Sequence, residues 1–208
     1  MLAPRGLFLP SYGVNKTKEE FWCQQQLADE KLHALLEKGD AEMAQQAREG
    51  GCPHCGNKFH CGNYKRKPWG GPSHWDERYS FCCAVCRRRL TPPSLRFLGR
   101  RFYVAPVVVL LSAMNHGLTA ERVRRLREAL GVDPRTLARW RQWWLETFVQ
   151  SPFWKAARTR LLPRVSELTL PWSLWERFGL PESDRLLELL EFLAPITTPA
   201  AARERRAM

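Results

Sequence analysis

Two cysteine pairs, Cys52-x2-Cys55 and Cys83-x2-Cys86, are the residues whose types and spacing point most directly to chemistry in this 208-residue chain. Two such knuckles at the ends of short hairpins bring four thiolates to one tetrahedral Zn²⁺. Pro53 and Gly56 suit the tight turn that points both sulfurs of the first knuckle at a metal. Arg87, Arg88 and Arg89 follow the second knuckle and offset the negative charge of a four-thiolate site. Cys82 adjoins Cys83 and gives the alternative ligand pair Cys82-x3-Cys86; the two-residue gap favours Cys83. Disulfides are the competing use of the cysteines. Their odd number, seven, and the interrupted apolar run of residues 1–13, which lacks a secretory pattern, favour reduced thiols and a cytoplasmic setting. Cys23 reads as a packed thiol. Cys61, His54, His60 and His74 read as local hydrogen-bonding residues rather than ligands.

A second set of residues is set by charge. The chain carries 33 basic and 21 acidic groups, a net charge of +12. Residues 1–57 hold six basic and eight acidic groups, and residues 161–202 hold three and six. Residues 58–101 hold eleven against two, and residues 119–160 ten against four. Positive charge concentrated in mid-chain, between acidic ends, predicts a polyanionic partner, here double-stranded DNA. The choice between DNA and RNA stays open at this level.

The segment 119–148 has the pattern of a helix-turn-helix. Thr119 can cap a helix over 120–130, with Val123, Leu126 and Leu130 on its inner side. Gly131 suits a left-handed helix end, Asp133 an N-cap and Pro134 the first helical position. A helix over 134–148 then buries Leu137, Trp140, Trp144 and Phe148. Its opposite face carries Arg135, Arg139, Gln142 and Glu146. Arg reads guanine and Gln reads adenine, so Arg135, Arg139 and Gln142 are candidate base-reading residues. Arg122, Arg124 and Arg125 are placed to meet phosphates, with Arg88, Arg100 and Arg101 from the ribbon and its connector.

The remaining elements position these residues. Thr17-Lys18-Glu19-Glu20 is a capping box, and Phe21, Ala28, Leu32, Leu35 and Leu36 follow at helical spacing. Gly39-Asp40 is expected to interrupt this helix, with Asp40 capping a second one that ends at Gly50-Gly51, giving a helical hairpin that packs or dimerises. Short strands are expected at 58–67, 78–81 and 88–91. The apolar run within 104–116 is too short for a membrane span and reads as a buried helix, with a strand possible at Val107-Val108-Val109. A helix is expected from Ser151-Pro152 through Leu162, with two more over 171–178 and 181–193. The leucines of the last one pack within the chain or on a partner. The fold class expected is mainly α with a small β zinc ribbon. Its parts are an N-terminal helical segment (1–51), the ribbon (52–94), a helix-turn-helix bundle (95–150), C-terminal helices (151–194) and a disordered tail (195–208). No phosphate-binding loop, His-hydrophobe-His pair or two-metal carboxylate arrangement is visible, so the protein is expected not to be an enzyme.

Several stretches resemble a group of small bacterial proteins encoded beside transposase and recombinase genes in mobile elements. These are Cys52-Pro53-His54-Cys55-Gly56, Arg66-Lys67-Pro68, Phe81-Cys82-Cys83, 87–94, 96–101, 118–144 and Ser151-Pro152-Phe153-Trp154. The ribbon followed by a helix-turn-helix also looks, more distantly, like the DNA-binding half of insertion-sequence transposases without their catalytic half. The resemblance covers roughly residues 50–198, and the ribbon-to-arginine stretch is its most specific part. It implies the four cysteines as zinc ligands and 119–146 as a DNA reader, and it implies no activity. Cys61 and Trp69 depart from the group's usual pattern. The expected function is that of a zinc-stabilised accessory or regulator of transposition, nucleoid-associated, with a homodimer as one expected form. The alternatives are an adaptor for a transposase or recombinase, or a transposase subunit without its own catalytic domain.

Overall fold

In the computed structural model, residues 25, 27–66, 69–98, 103–117, 120, 121, 124, 128, 131–178 and 182–198 are described. They fall into two compact units. One contains 30–105 and 191–198, the other 25–29 and 106–190. Helical segments dominate, and two small antiparallel sheets lie in the first unit.

The first unit is organised by helix α1, Glu30–Glu49. Leu32, Leu36, Asp40 and Ala44 are buried at intervals of four, one stripe along the helix. Ala28 and Leu35, expected on the same stripe, are exposed. The capping box at Thr17–Glu20 and Phe21 lie outside the described residues. The expected break at Gly39-Asp40 does not occur, because both residues serve a neighbour instead. A Cβ at position 39 would stand 2.5 Å from Leu95 Cδ1, so glycine lets segment 94–96 approach the helix. Asp40 is fully buried. Its carboxylate accepts hydrogen bonds from Ser94 Oγ (2.7 Å), Leu95 N (2.6 Å) and Arg96 Nε (2.8 Å). It is therefore not a helix cap.

Strands β1 (Phe59–Cys61), β4 (Phe81–Cys83) and β5 (Arg89–Leu90) form an antiparallel sheet in the order β1-β4-β5. Strands β2 (Tyr64–Lys65) and β3 (Glu77–Arg78) form a separate hairpin. The single strand expected over 58–67 is thus broken at Gly62-Asn63. There Gly62 N donates to Ser80 O and Asn63 Oδ1 accepts from Ser80 N. The inner face of the sheet, with Cys52, Phe59, Phe81 and Cys83, packs with Ala44 of α1. The chain leaves the sheet through a buried polar seam. Arg78 donates to the carbonyls of Pro92 and Pro93. Arg96 lies over the rings of Trp75, Tyr79 and Phe97 at 5.8, 5.9 and 5.2 Å.

In the second unit, helix α2 (Ala105–Gly117) is buried along Val107–Ala113, as its apolar run requires. The helix expected over 120–130 is seen only at its positions 120, 121, 124 and 128, all helical. Thr119, Val123, Leu126 and Leu130 lie outside the described residues. Gly131 has φ 62°, the left-handed conformation that glycine adopts without strain. Helix α3 (Pro134–Gln142) starts as expected, with Asp133 accepting from Arg135 N at 2.7 Å. Beyond Gln142 the coil widens into a π-helical turn, Trp143–Phe148. Trp144 and Phe148 there pack with Trp154 of helix α4 (Pro152–Ala157), the Phe148 ring lying 4.9 Å from that of Trp144 and 5.0 Å from that of Trp154.

Helix α4 is shorter than expected. It passes into one 3-10 turn, Arg158–Arg160, instead of continuing to Leu162. Trp154 Nε1 and Arg158 Nη1 both donate to Glu167 Oε1, at 2.7 and 2.9 Å. Helix α5 (Trp172–Trp175) is a single turn. On helix α6 (Glu182–Leu193), Leu186, Leu189, Leu190 and Leu193 are buried, so these leucines are packed within the chain. Part of the expected disordered tail is ordered. Ala194–Thr197 is a 3-10 turn with Ile196 and Thr197 buried, because Thr197 Oγ1 accepts from Ser94 N at 2.9 Å. Residues 199–208 lie outside the described residues.

Removing one partner of a buried ion pair strands the other charge, at a cost of about 3–5 kcal/mol. Asp40→Ala is expected to lower stability by roughly this amount in urea denaturation. Glu42→Ala, which removes the exposed Lys38–Glu42 pair, is expected to cost under about 0.5 kcal/mol. The hydrogen bond from Trp154, then that from Arg158, hold the Glu167 carboxyl below its ordinary range. A depressed folded pKa contributes stability above the unfolded value, about 4.3, and that contribution is lost as pH falls through the folded one. Thermal melts of Glu167→Gln are expected to show a smaller acid-side decline than wild type.

Candidate metal centre and basic surfaces

Cys52, Cys55, Cys83 and Cys86 come together, all four Sγ atoms within 4.8 Å of one another. The Cys52–Cys86 and Cys55–Cys83 separations are 3.5 and 3.4 Å. A tetrahedral ion with metal–sulfur bonds of about 2.3 Å needs sulfurs about 3.8 Å apart. The cluster is therefore close to the size such an ion requires, and the four cysteines are positioned to hold a metal ion.

Local backbone chemistry builds each knuckle. Gly56 N and Cys55 N both donate to Cys52 O, at 2.8 and 3.3 Å, and Gly56 has φ 70°. Cys52 N donates to Asn57 O, closing the loop. A Cβ at Gly51 would lie 3.1 Å from Gly56 O, and Gly51 itself has φ 68°. In the second knuckle Cys83 N donates to Arg88 O, and Arg87 takes a left-handed φ of 57°. Strand alternation then decides between the two neighbouring cysteines. Cys83 is buried on the inner sheet face, whereas Cys82 faces outward, its Sγ 3.5 Å from Arg87 O. Cys83 is the cluster member.

The cluster favours thiolate unevenly. The Cys55 thiol is brought down to about 6, first by the backbone N–H of Asn57 and then by Cys83. Cys86 is pushed up to about 12: a backbone hydrogen bond at Arg88 pulls the other way but is outweighed by burial and the neighbouring sulfurs. A bound cation removes this conflict, because coordination deprotonates all the thiols it engages.

The other ribbon candidates lie outside the cluster. His74 Nε2 and Trp75 Nε1 each lie 2.5 Å from Glu37 Oε1. His54 contacts Arg88 Nη1 at 2.8 Å. His60 and Cys61 are exposed on β1. A groove of about 670 Å³ between α1 and the sheet is lined by Ala44, Arg48, Lys58, Phe59 and Tyr79 among others.

The expected DNA-contacting residues divide into four sets. On α3, Leu137 and Trp140 are buried while Arg135, Arg139 and Gln142 are exposed. Arg139 Nη2 donates to Thr136 Oγ1 and Gln142 Nε2 to Glu146 Oε2, each at 2.9 Å. Arg124 is held between Glu121 (2.6 Å) and Glu128 (3.0 Å), which neutralise its charge and raise its proton affinity further. Arg88 is exposed on the ribbon. Arg100, Arg101, Arg122 and Arg125 lie outside the described residues.

The buried role of Asp40 was missed at the level of sequence, although an acid four residues after Leu36 and four before Ala44 was its signal. The Arg88–His54 contact between knuckles has no signal in local sequence. Comparison with protein-family models, with curated proteins and with solved structures gives no match. Among the described residues no helix is long and apolar enough to cross a membrane.

Cys83→Ser is expected to lose the bound metal and the fold of the ribbon, since metal binding is folding energy for such modules. Cys82→Ser is expected to retain one ion per chain. Metal content by mass spectrometry and far-UV circular dichroism of the two purified variants check this, and the opposite pattern would assign the ligand to Cys82.

Proposed function

We propose that this chain is a non-enzymatic, zinc-stabilised DNA-binding protein that assists or regulates the transposition machinery of a mobile element. The observation that carries the DNA-binding part is helix α3: apolar residues inward, Arg135, Arg139 and Gln142 outward, on a helix begun by an Asp cap and Pro134. This is the distribution a recognition helix needs, because its inner stripe anchors it while the outer residues reach base edges. The preceding helical residues and the Gly131 turn fit a helix-turn-helix.

Zinc is the metal proposed. Four thiolates with no place left for substrate make a closed structural site, and tetrahedral sulfur ligation suits zinc or iron. A colourless protein with one zinc per chain supports zinc, and a coloured one iron. The link to mobile elements rests on the resemblance of residues 50–198 to proteins encoded beside transposases. A nucleoid location follows if DNA is the ligand.

One observation favours a second reading, an adaptor for a transposase or recombinase. Leu162 and Leu168 are 76% and 82% exposed, and a protein partner is implied only where such side chains join a larger apolar patch. On that reading affinity for free DNA is small.

The test is fluorescence anisotropy with duplexes from the flanks of the gene and with scrambled duplexes. Arg135→Ala/Arg139→Ala is expected to lose about 1–3 kcal/mol for each base contact, and with it most of the preference for the flanking duplex. An unchanged preference in the double variant would remove α3 from the groove.

A further inference from the structure

We infer that the exposed cations beside the two cysteine knuckles form a second DNA contact, one that grips the phosphate backbone of a duplex independently of sequence. This inference rests on the DNA-binding reading above and adds to it a surface, Lys58, Arg87 and Arg89 with Arg88, that helix α3 does not supply.

The register of the sheet places one of these cations, Arg89, on its outer face. His60 pairs with Cys82, and Cys82 with Arg89, so these three form one row across the strands. Phe59, Phe81, Cys83 and Leu90 occupy the opposite face and pack into the core. Cys83 thus faces inward and Arg89 outward. Arg89 lies along the sheet, its Nη2 3.7 Å from where a Cβ on Gly62 would be. Arg88 crosses from the second knuckle to the His54 ring of the first, at 2.8 and 3.2 Å. Lys58, Arg87, Arg88 and Arg89 are all exposed, as are His54 and His60.

Within the ribbon little acidic answers this charge, although Glu49 of α1 lines the same groove as Lys58. Residues 50–75 and 78–98 contain no Asp or Glu. The two carboxylates between them are engaged on the β2-β3 hairpin, Asp76 by Lys65 at 2.8 Å and Glu77 by Asn63 at 2.8 Å. Among the described residues no ion pair involves Lys58, Arg87, Arg88 or Arg89. Arg124, by contrast, is already neutralised by two glutamates. Four exposed cations that form no ion pair among the described residues attract a regularly spaced polyanion. The row also bears on which polyanion. It holds no Phe, Tyr or Trp on which unpaired bases could stack, the feature that single-strand binders use. Phosphates of a duplex are the ligand that the surface fits.

The sequence alone suggested another role for the arginines, offsetting the charge of the thiolates. The two roles separate experimentally. Every phosphate that the protein ceases to neutralise makes the slope of log K against log salt shallower by about 0.9. The full-length zinc-loaded protein carrying Lys58→Ala, Arg88→Ala and Arg89→Ala is expected to bind with a slope shallower by about 2–3. It should weaken equally towards flanking and scrambled duplexes while keeping one metal per chain. Arg88→Lys/Arg89→Lys is expected to keep the wild-type slope, since phosphate gripping needs the charge rather than the fork. A triple variant that keeps both its metal and the wild-type slope would overturn the inference and leave the reading of α3 intact. Loss of metal in the triple variant, with the wild-type slope restored when zinc is in excess, would assign the arginines to the metal centre instead. Wild-type protein with no salt-dependent binding to any duplex would remove the DNA reading itself.

Discussion

A carboxylate taken wholly out of water must be matched by donors, and the first unit is arranged around one that is. Asp40 lies in the middle of α1, where a charged residue on a buried stripe would otherwise be strongly destabilising. Three donors from consecutive residues, Ser94, Leu95 and Arg96, converge on it. Two are side-chain groups and one is a backbone N–H, so the arrangement fixes both the position and the rotation of the segment that leaves the sheet. Gly39 permits the approach, and the rings of Trp75, Tyr79 and Phe97 take up the guanidinium face of Arg96. Breaking this set would leave charge buried on both sides of the contact.

The cysteine cluster is built on that frame. Ala44, one turn beyond Asp40, packs with Cys52, Phe59, Phe81 and Cys83. A ribbon of two- and three-residue strands has little core of its own, and sheets this small need packing or a metal to persist. Here α1 covers one face of the sheet and the cysteine cluster ties its two knuckles. The other face carries His60, Cys82 and Arg89. Alternation along a strand separates Cys83 from Cys82 and, by the same rule, Cys83 from Arg89.

In the second unit the organising contacts are aromatic. Trp144, Phe148 and Trp154 bury nearly all their surface and meet at ring distances of 4.9–5.0 Å. The widened turn Trp143–Phe148 accommodates two adjacent tryptophans and a phenylalanine. Ser151 then restarts the chain with its hydroxyl donating to Phe148 O and accepting from Trp154 N. α3 is held on its inner side by Leu137 and Trp140, which leaves Arg135 and Arg139 in water.

Local signals were enough to determine certain features from sequence. The Cys-x2-Cys spacing implied four sulfurs around one point, because ligand geometry is written into the knuckle. Asp133-Pro134 and Ser151-Pro152 marked helix starts, because an N-cap and a proline at the first position satisfy requirements confined to a few residues. The apolar periodicity of Leu137, Trp140, Trp144 and Phe148 marked the inner face of that helix. Other features depended on residues far apart in the chain. Whether Gly39-Asp40 breaks a helix was decided by Leu95 and Arg96, 55 and 56 residues beyond Asp40. Arg124 pairs with two glutamates on its own helix, contacts that spacing allows but does not settle. Thr197 became ordered because Ser94 N needed an acceptor. A polar or glycine residue has several local uses of nearly equal free energy, and only the tertiary structure, by supplying or withholding a distant partner, selects among them.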